Sequence, residues 1–183
     1  MIQMVQLSEL LGNKALIKLL EFFIENPSDE ASYTEIKKRI KIAKATLTKW
    51  LNFMVKNDFI TSKIIGRNKL YKLNKENVLI KQLKILNIIT KLLSLKKIVE
   101  KTGSEIFIYG SASRGEDTEK SDIDVFILGN VKPREVSEEV RKLEKKLNKE
   151  IKVQIFTNIE WANMERKDRA FYERVEKDKI KIG

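Results

Sequence analysis

The 183-residue chain contains no cysteine and no histidine, and its only prolines are Pro27 and Pro133. Without cysteine there is no disulfide and no thiolate metal site. Without histidine the commonest general base and metal ligand is missing. Any acid–base or metal chemistry must therefore run on carboxylates. Long uninterrupted apolar runs are also lacking. The longest candidate, NVLIKQLKILNIITKLLSLKKIVEK, is broken by Lys81, Lys84, Lys91, Lys96 and Lys97, which are costly at a bilayer centre, so it does not span a membrane. The opening MIQMVQLSELLG has neither a basic leader nor a long apolar core, and the expectation is a cytoplasmic protein with no membrane partner.

What the chain does contain is 42% hydrophobic and 34% charged residues, the balance of a globular protein rather than a disordered one. High Lys, Glu and Ile resembles the composition of heat-adapted proteins. The formal charge of +11 is unevenly spread. Residues 1–100 carry 19 Lys/Arg against 9 Asp/Glu, whereas residues 101–183 carry 18 against 17. A basic half suits a polyanionic partner and a near-neutral half does not need one.

From Ser8 to Glu25 the apolar residues Leu10, Leu11, Leu16, Ile17, Leu19, Leu20, Phe23 and Ile24 follow helical spacing, ended by Asn26-Pro27-Ser28. A second short helix is expected near Thr34 and a third from Ala43 to about Lys56, the latter burying Leu47, Leu51 and Met54. FITSKIIGRNKLYKLN then reads as a hairpin turning at Gly66-Arg67-Asn68, in a stretch without acidic residues between Asp58 and Glu76. Three helices followed by a basic hairpin resemble the winged helix-turn-helix domains of many prokaryotic DNA-binding regulators. That resemblance places Lys44, Thr46, Thr48, Lys49 and Asn52 on the face of the third helix that meets double-stranded DNA, and Arg67 and Lys69 on the wing. Asn77 to Lys101 reads as one long linking helix with two apolar stripes. Both stripes pack within one chain, or one of them forms a homodimer.

The segment from Ile108 to Leu128, IYGSASRGEDTEKSDIDVFIL, carries the chemistry. EIFIY at Glu105–Tyr109 and IDVFIL at Ile123–Leu128 are β-prone runs. Side chains alternate across a strand, so Asp122 and Asp124 share one face and one metal ion can touch both. Gly110 and Ser111 let a phosphate approach the backbone at the end of the first strand. The spacing of Gly110 and Gly115 suits the start of a P-loop, but Glu116 and Asp117 stand where Lys and Ser/Thr are required, which rejects that motif.

The pattern G-S-x-x-x-G followed by S-D-I-D resembles the DNA polymerase beta nucleotidyltransferase superfamily, in particular its minimal nucleotidyltransferase members, over about residues 103–183. The resemblance implies that Gly110, Ser111, Arg114 and Gly115 bind a nucleoside triphosphate, by preference ATP. It implies that Asp122 and Asp124 are catalytic Mg²⁺ ligands, and that a third carboxylate on a later strand completes a two-metal site. The matching position on EIKVQIFT is Gln154, which carries no charge to hold a second ion. Glu150 shares its face but lies about 13 Å away along extended chain. Glu160 and Glu165 follow on the next helix.

The expected fold is α/β (α+β): a winged helix-turn-helix over 1–75, a linking helix over 76–102, and a nucleotidyltransferase-like domain with a short mixed sheet over 103–183. Within the last, a helix is expected over Arg134 to Asn148, a strand over Glu150 to Thr157, an amphipathic helix from Ile159 to Val175 and a closing strand at KIKIG. Two functions fit. One is a Mg²⁺-dependent nucleotidyltransferase acting on a hydroxyl of a small molecule or of a protein; the family resemblance makes a neighbouring toxin a candidate acceptor. The other is a DNA-binding transcriptional regulator whose degenerate nucleotidyltransferase domain senses nucleotide or only assembles the protein.

Overall fold

The structure, a computed structural model, describes residues 7–183. The first six residues of the expected 1–75 domain lie outside the described residues. The chain divides into two compact units, the first ending at Lys81 and the second running Gln82–Gly183.

The first unit opens with two helices where the apolar periodicity alone predicts one, α1 (Leu7–Leu11) and α2 (Lys14–Glu25). Asn13 causes the break: its side-chain oxygen accepts from the amides of Ala15 and Leu16 at 3.0 and 3.2 Å, an N-cap that starts a new helix. Gly12 permits it, because a Cβ there would lie 2.3 Å from the Ser8 carbonyl oxygen. A two-residue strand β1 (Ala31–Ser32) leads into α3 (Tyr33–Ile40), which starts at a Ser32/Glu35 capping box and stops at Lys41 in the left-handed region. Then come α4 (Lys44–Lys56), β2 (Ile60–Ile65) and β3 (Asn68–Leu73). The hairpin turns on Gly66, whose φ of +58° is one that side chains resist. β1 adds to β3 through Ala31↔Tyr71 and Ser32↔Leu70, giving the antiparallel order β1-β3-β2. Leu16, Leu19, Phe23, Ile36, Leu47, Leu51, Met54 and Phe59 are almost wholly buried.

The boundary between units falls inside α5 (Val78–Leu92). The expected continuous helix to Lys101 is instead interrupted by a 3₁₀ turn at Leu93–Leu95 before α6 (Lys96–Thr102). The sequence favours this: Leu92, Leu95 and Ile98 recur every three residues, the spacing at which a 3₁₀ turn aligns side chains, and all three are buried in one core.

The second unit is built on a four-stranded mixed sheet in the order β6-β5-β4-β7. β4 (Glu105–Tyr109) and β5 (Ile123–Leu128) are antiparallel, and both match the expected runs residue for residue. β6 (Ile151–Phe156) runs parallel to β5 after the connecting helix α7 (Pro133–Leu147). β7 (Ile180–Lys181) closes the far edge against β4. The expected helix from Ile159 to Val175 is again two, α8 (Asn158–Lys167) and α9 (Arg169–Asp178), because Asp168 caps the second by accepting from the Phe171 amide at 3.0 Å.

Strand alternation sorts the core into two sides. Ile106, Ile108, Ile123, Val125 and Ile127 pack with Leu92, Leu95, Ile98, Val136, Val140 and Leu143 from the helices on one face. Phe107, Tyr109 and Phe126 meet Trp161 and Val175 of α8 and α9 on the other. Among the described residues no helix is long and apolar enough to cross a membrane.

Candidate functional site

The two apolar strands deliver the glycine turn and the aspartate pair to one end of the sheet. β4 ends at Tyr109, β5 begins at Ile123, and the register pairs Tyr109 with Asp124. Asp124 therefore shares its face with Tyr109, on the side covered by α8 and α9, and Asp122 precedes it by one alternation. Gly110 has a φ of +72°, and a Cβ built on it would lie 2.8 Å from Asp124 Oδ2. The missing side chain leaves open the space beside that carboxylate oxygen.

The turn that follows holds itself together. Ser113 Oγ donates to the Gly110 carbonyl at 2.8 Å, the Glu116 amide donates to the Ser111 carbonyl at 2.9 Å, and Gly115 turns with a φ of +68°. Arg114 is drawn outward: its Nε donates to Glu116 at 2.7 Å and its Nη1 pairs with Asp178 at the end of α9. A nucleotide contact by Arg114 therefore has to draw it from one of those carboxylates. Deeper in the turn, Asp117 is almost wholly buried and lies between two lysines, Lys84 of α5 at 3.0 Å and Lys149 at 2.9 Å.

The electrostatics of the aspartate pair come mostly from elements that no motif marks. Asp124 is half-buried, and loss of water pushes its carboxyl above the usual range; the Asp122 charge adds to this, while Lys152 and Arg174 oppose it. Burial likewise raises the Tyr109 hydroxyl, with the Asp124 charge second. Asp122 is bound by Lys152, whose Nζ lies 2.5 Å from Asp122 Oδ2, and this contact raises the lysine.

The parallel register sets Lys152 opposite Asp124 and Gln154 opposite Phe126. Because Ile123 pairs with Ile151, Glu150 stands level with Asp122 and adds to the charge that Lys152 feels. Glu160 is held in its own capping box, accepting from the Thr157 amide and hydroxyl at 2.8 Å each. Among the described residues no three Asp or Glu side chains gather closely enough to hold an ion by themselves.

The donor set at this end of the sheet is all oxygen, the ligand chemistry of Mg²⁺. Two carboxylates, Asp124 with open space beside it and Asp122 paired with the flexible Lys152, suit an ion that completes its shell with further oxygen ligands and water. The residues present thus fit one such ion.

In the first unit, Lys44, Thr48, Lys49 and Asn52 are exposed on α4, and Thr46 is half-buried. Thr48 Oγ1 donates back to the Lys44 carbonyl at 3.0 Å, and the Lys49 ammonium lies 5.0 Å from the centroid of the Trp50 ring. Arg67 and Lys69 are exposed on the hairpin.

A glycine turn thus ends one strand beside a carboxylate pair at the start of its antiparallel neighbour. In the family-level comparison, the model described as a nucleotidyltransferase domain matches residues 85–181, and the chain belongs to that family, whose fold the mixed sheet of the second unit is consistent with. No curated protein matches the chain.

Lys152, Arg174 and Tyr109 escape sequence reasoning. Lys152 was in principle visible, lying one alternation before Gln154 on the same strand face. Arg174 reaches the site only through the packing of α9.

Proposed function

We propose that this chain is a Mg²⁺-dependent nucleotidyltransferase fused to a DNA-binding winged helix, moving a nucleoside monophosphate from ATP onto a hydroxyl acceptor. The observation that carries the catalytic reading is Gly110 against Asp124, with the 2.8 Å approach that any added Cβ would make. Asp122 and Asp124 would hold the Mg²⁺, which when bound neutralises charge on the phosphates. The turn from Gly110 to Gly115 offers a phosphate backbone in place of side chains. In the transfer the acceptor oxygen bonds the α-phosphorus, pyrophosphate leaves, and the hydroxyl proton passes to solvent.

The winged-helix reading is supported by the order of α2, α3, α4, β2 and β3, by the third strand that β1 supplies, and by the exposed lysines of α4. Duplex DNA binding should weaken linearly in log–log form as salt rises. Replacing Lys44 and Lys49 together with alanine should lower the magnitude of that slope by about 2, one for each phosphate no longer neutralised. Gel shifts over a salt series measure this, and a salt-independent complex would refute the basic contact.

A second reading rests on Gln154 and on the Lys152–Asp122 ion pair: a regulator in which the second unit binds nucleotide without transferring it. ATP binding and label transfer by the full chain, beside an Asp122→Ala/Asp124→Ala control, separate the two. Binding and transfer that vanish together in the control establish the enzyme. Binding without transfer to any acceptor favours the regulator that senses nucleotide, and no binding leaves a regulator whose second unit only assembles the protein.

A further inference from the structure

Cationic side chains of the protein itself face the aspartate pair. Asp122 and Asp124 contribute two negative charges and Glu150, level with Asp122, a third, and the cations among them are Lys152 from β6 and Arg174 from α9. Gln154 adds none. Lys152 is placed by backbone register, opposite Asp124 on the same face of a parallel pair, and its ammonium lies 2.5 Å from Asp122 Oδ2. An ammonium in that place satisfies a carboxylate that a divalent ion would otherwise claim. Two cations on one carboxylate repel, and their separation there is too short for salt to screen.

Lys152 is also able to leave. Its side chain is 53% exposed, its stem is long and flexible, and nothing in its placement fixes the ammonium as a guanidinium fork would be fixed. A triphosphate bound at the Gly110 turn would offer it alternative anionic oxygens.

We propose that Lys152 is a built-in counter-ion that competes with the divalent metal for Asp122 and yields the site when a nucleoside triphosphate arrives. The inference rests on the proposed metal role of the aspartate pair. It makes metal binding and nucleotide binding mutually supportive: the metal alone must displace the ammonium, whereas metal with triphosphate gives the ammonium a new partner. Metal enters with its substrate rather than ahead of it.

The test is Mn²⁺ binding to the full chain, read from the electron paramagnetic resonance signal of free Mn²⁺, with and without a non-hydrolysable ATP analogue. Lys152→Gln should tighten binding of Mn²⁺ alone by roughly tenfold, within the usual range of coupling between two ligands, and should shrink the enhancement that the analogue gives the wild type. Lys152→Arg keeps the charge and should bind Mn²⁺ as weakly as the wild type. Asp124→Asn should bind none. If Lys152→Gln matches the wild type while Asp124→Asn loses the ion, the counter-ion role is wrong and the metal site stands. If both lysine variants tighten binding alike, the positive charge is not what opposes the ion, and the proposal also fails. If no form binds Mn²⁺ at millimolar concentration, the metal reading falls and takes this inference with it.

Discussion

Replacing Lys84 with methionine is expected to destabilise the protein by about 3–5 kcal/mol, the usual cost of breaking a buried ion pair from one side. Lys84 is only 2% exposed, and its ammonium lies 3.0 Å from Asp117 Oδ1 and 2.5 Å from the Asp117 carbonyl oxygen. Asp117 Oδ1 is buried and accepts no well-directed hydrogen bond among the described residues, so the charge of Lys84 is what offsets its desolvation. Methionine fits the lysine stem but leaves that oxygen uncompensated, and Lys149 on Oδ2 recovers only part of the loss. Urea unfolding of the full chain gives the number. The double variant Lys84→Met/Asp117→Leu should regain a large share of the stability, because removing both charges removes the buried orphan. A single variant within about 1 kcal/mol of the wild type would show that the pair contributes nothing. The same contact ties the segment between Gly110 and Asp122 to α5, so under the proposed function the single variant should also weaken nucleotide binding.

Asp124→Asn is expected to move stability and activity in opposite directions. Burial raises the Asp124 carboxyl above its unfolded value, so the folded protein takes up that proton more readily than the unfolded chain. The ionised group is therefore a cost to folding at neutral pH, and the cost disappears as pH falls through the raised folded pKa. Asparagine keeps the shape and removes the charge, so the melting temperature should rise and lose that part of its pH dependence. Under the proposed function, losing a metal ligand forfeits several kcal/mol of charge stabilisation in the transition state, about a thousand-fold in rate. Thermal melts and label transfer on the same preparation check both halves. A lower melting temperature together with unchanged transfer would overturn the assignment of Asp124 to the site.

Local patterns in the sequence revealed what short segments decide and hid what packing decides. β4 and β5 were legible because each is an apolar β-branched run bounded by glycine or polar residues, and together they exposed the aspartate pair. Helix continuity was not legible. Apolar periodicity runs straight through Asn13 and Asp168, whose side chains cap new helices by binding backbone amides two or three residues ahead. β1 is too short to carry a pattern of its own and exists because Ala31 and Ser32 find the edge of β3. The charge environment of the site was hidden for another reason. Lys84, Arg174 and the neighbouring Lys149 and Lys152 come from three separate parts of the chain, and only β-sheet register and helix packing bring them to the loop and the carboxylates.

The division of the chain into two units has a spectroscopic consequence. The protein has two tryptophans, and each unit contains one. Trp161 is buried among Phe126, Phe156, Phe171 and Tyr172, with its indole nitrogen donating to Glu176 at 3.0 Å, whereas Trp50 sits half-buried edge-on to Phe53. Their emission therefore arises from environments of different polarity. With Trp50 changed to phenylalanine, the remaining signal belongs to the nucleotidyltransferase unit alone, and with Trp161 changed to phenylalanine it belongs to the basic unit. One molecule thus carries a separate fluorescent reporter for the melting of each half, and superimposable transitions would mean that the halves unfold as one.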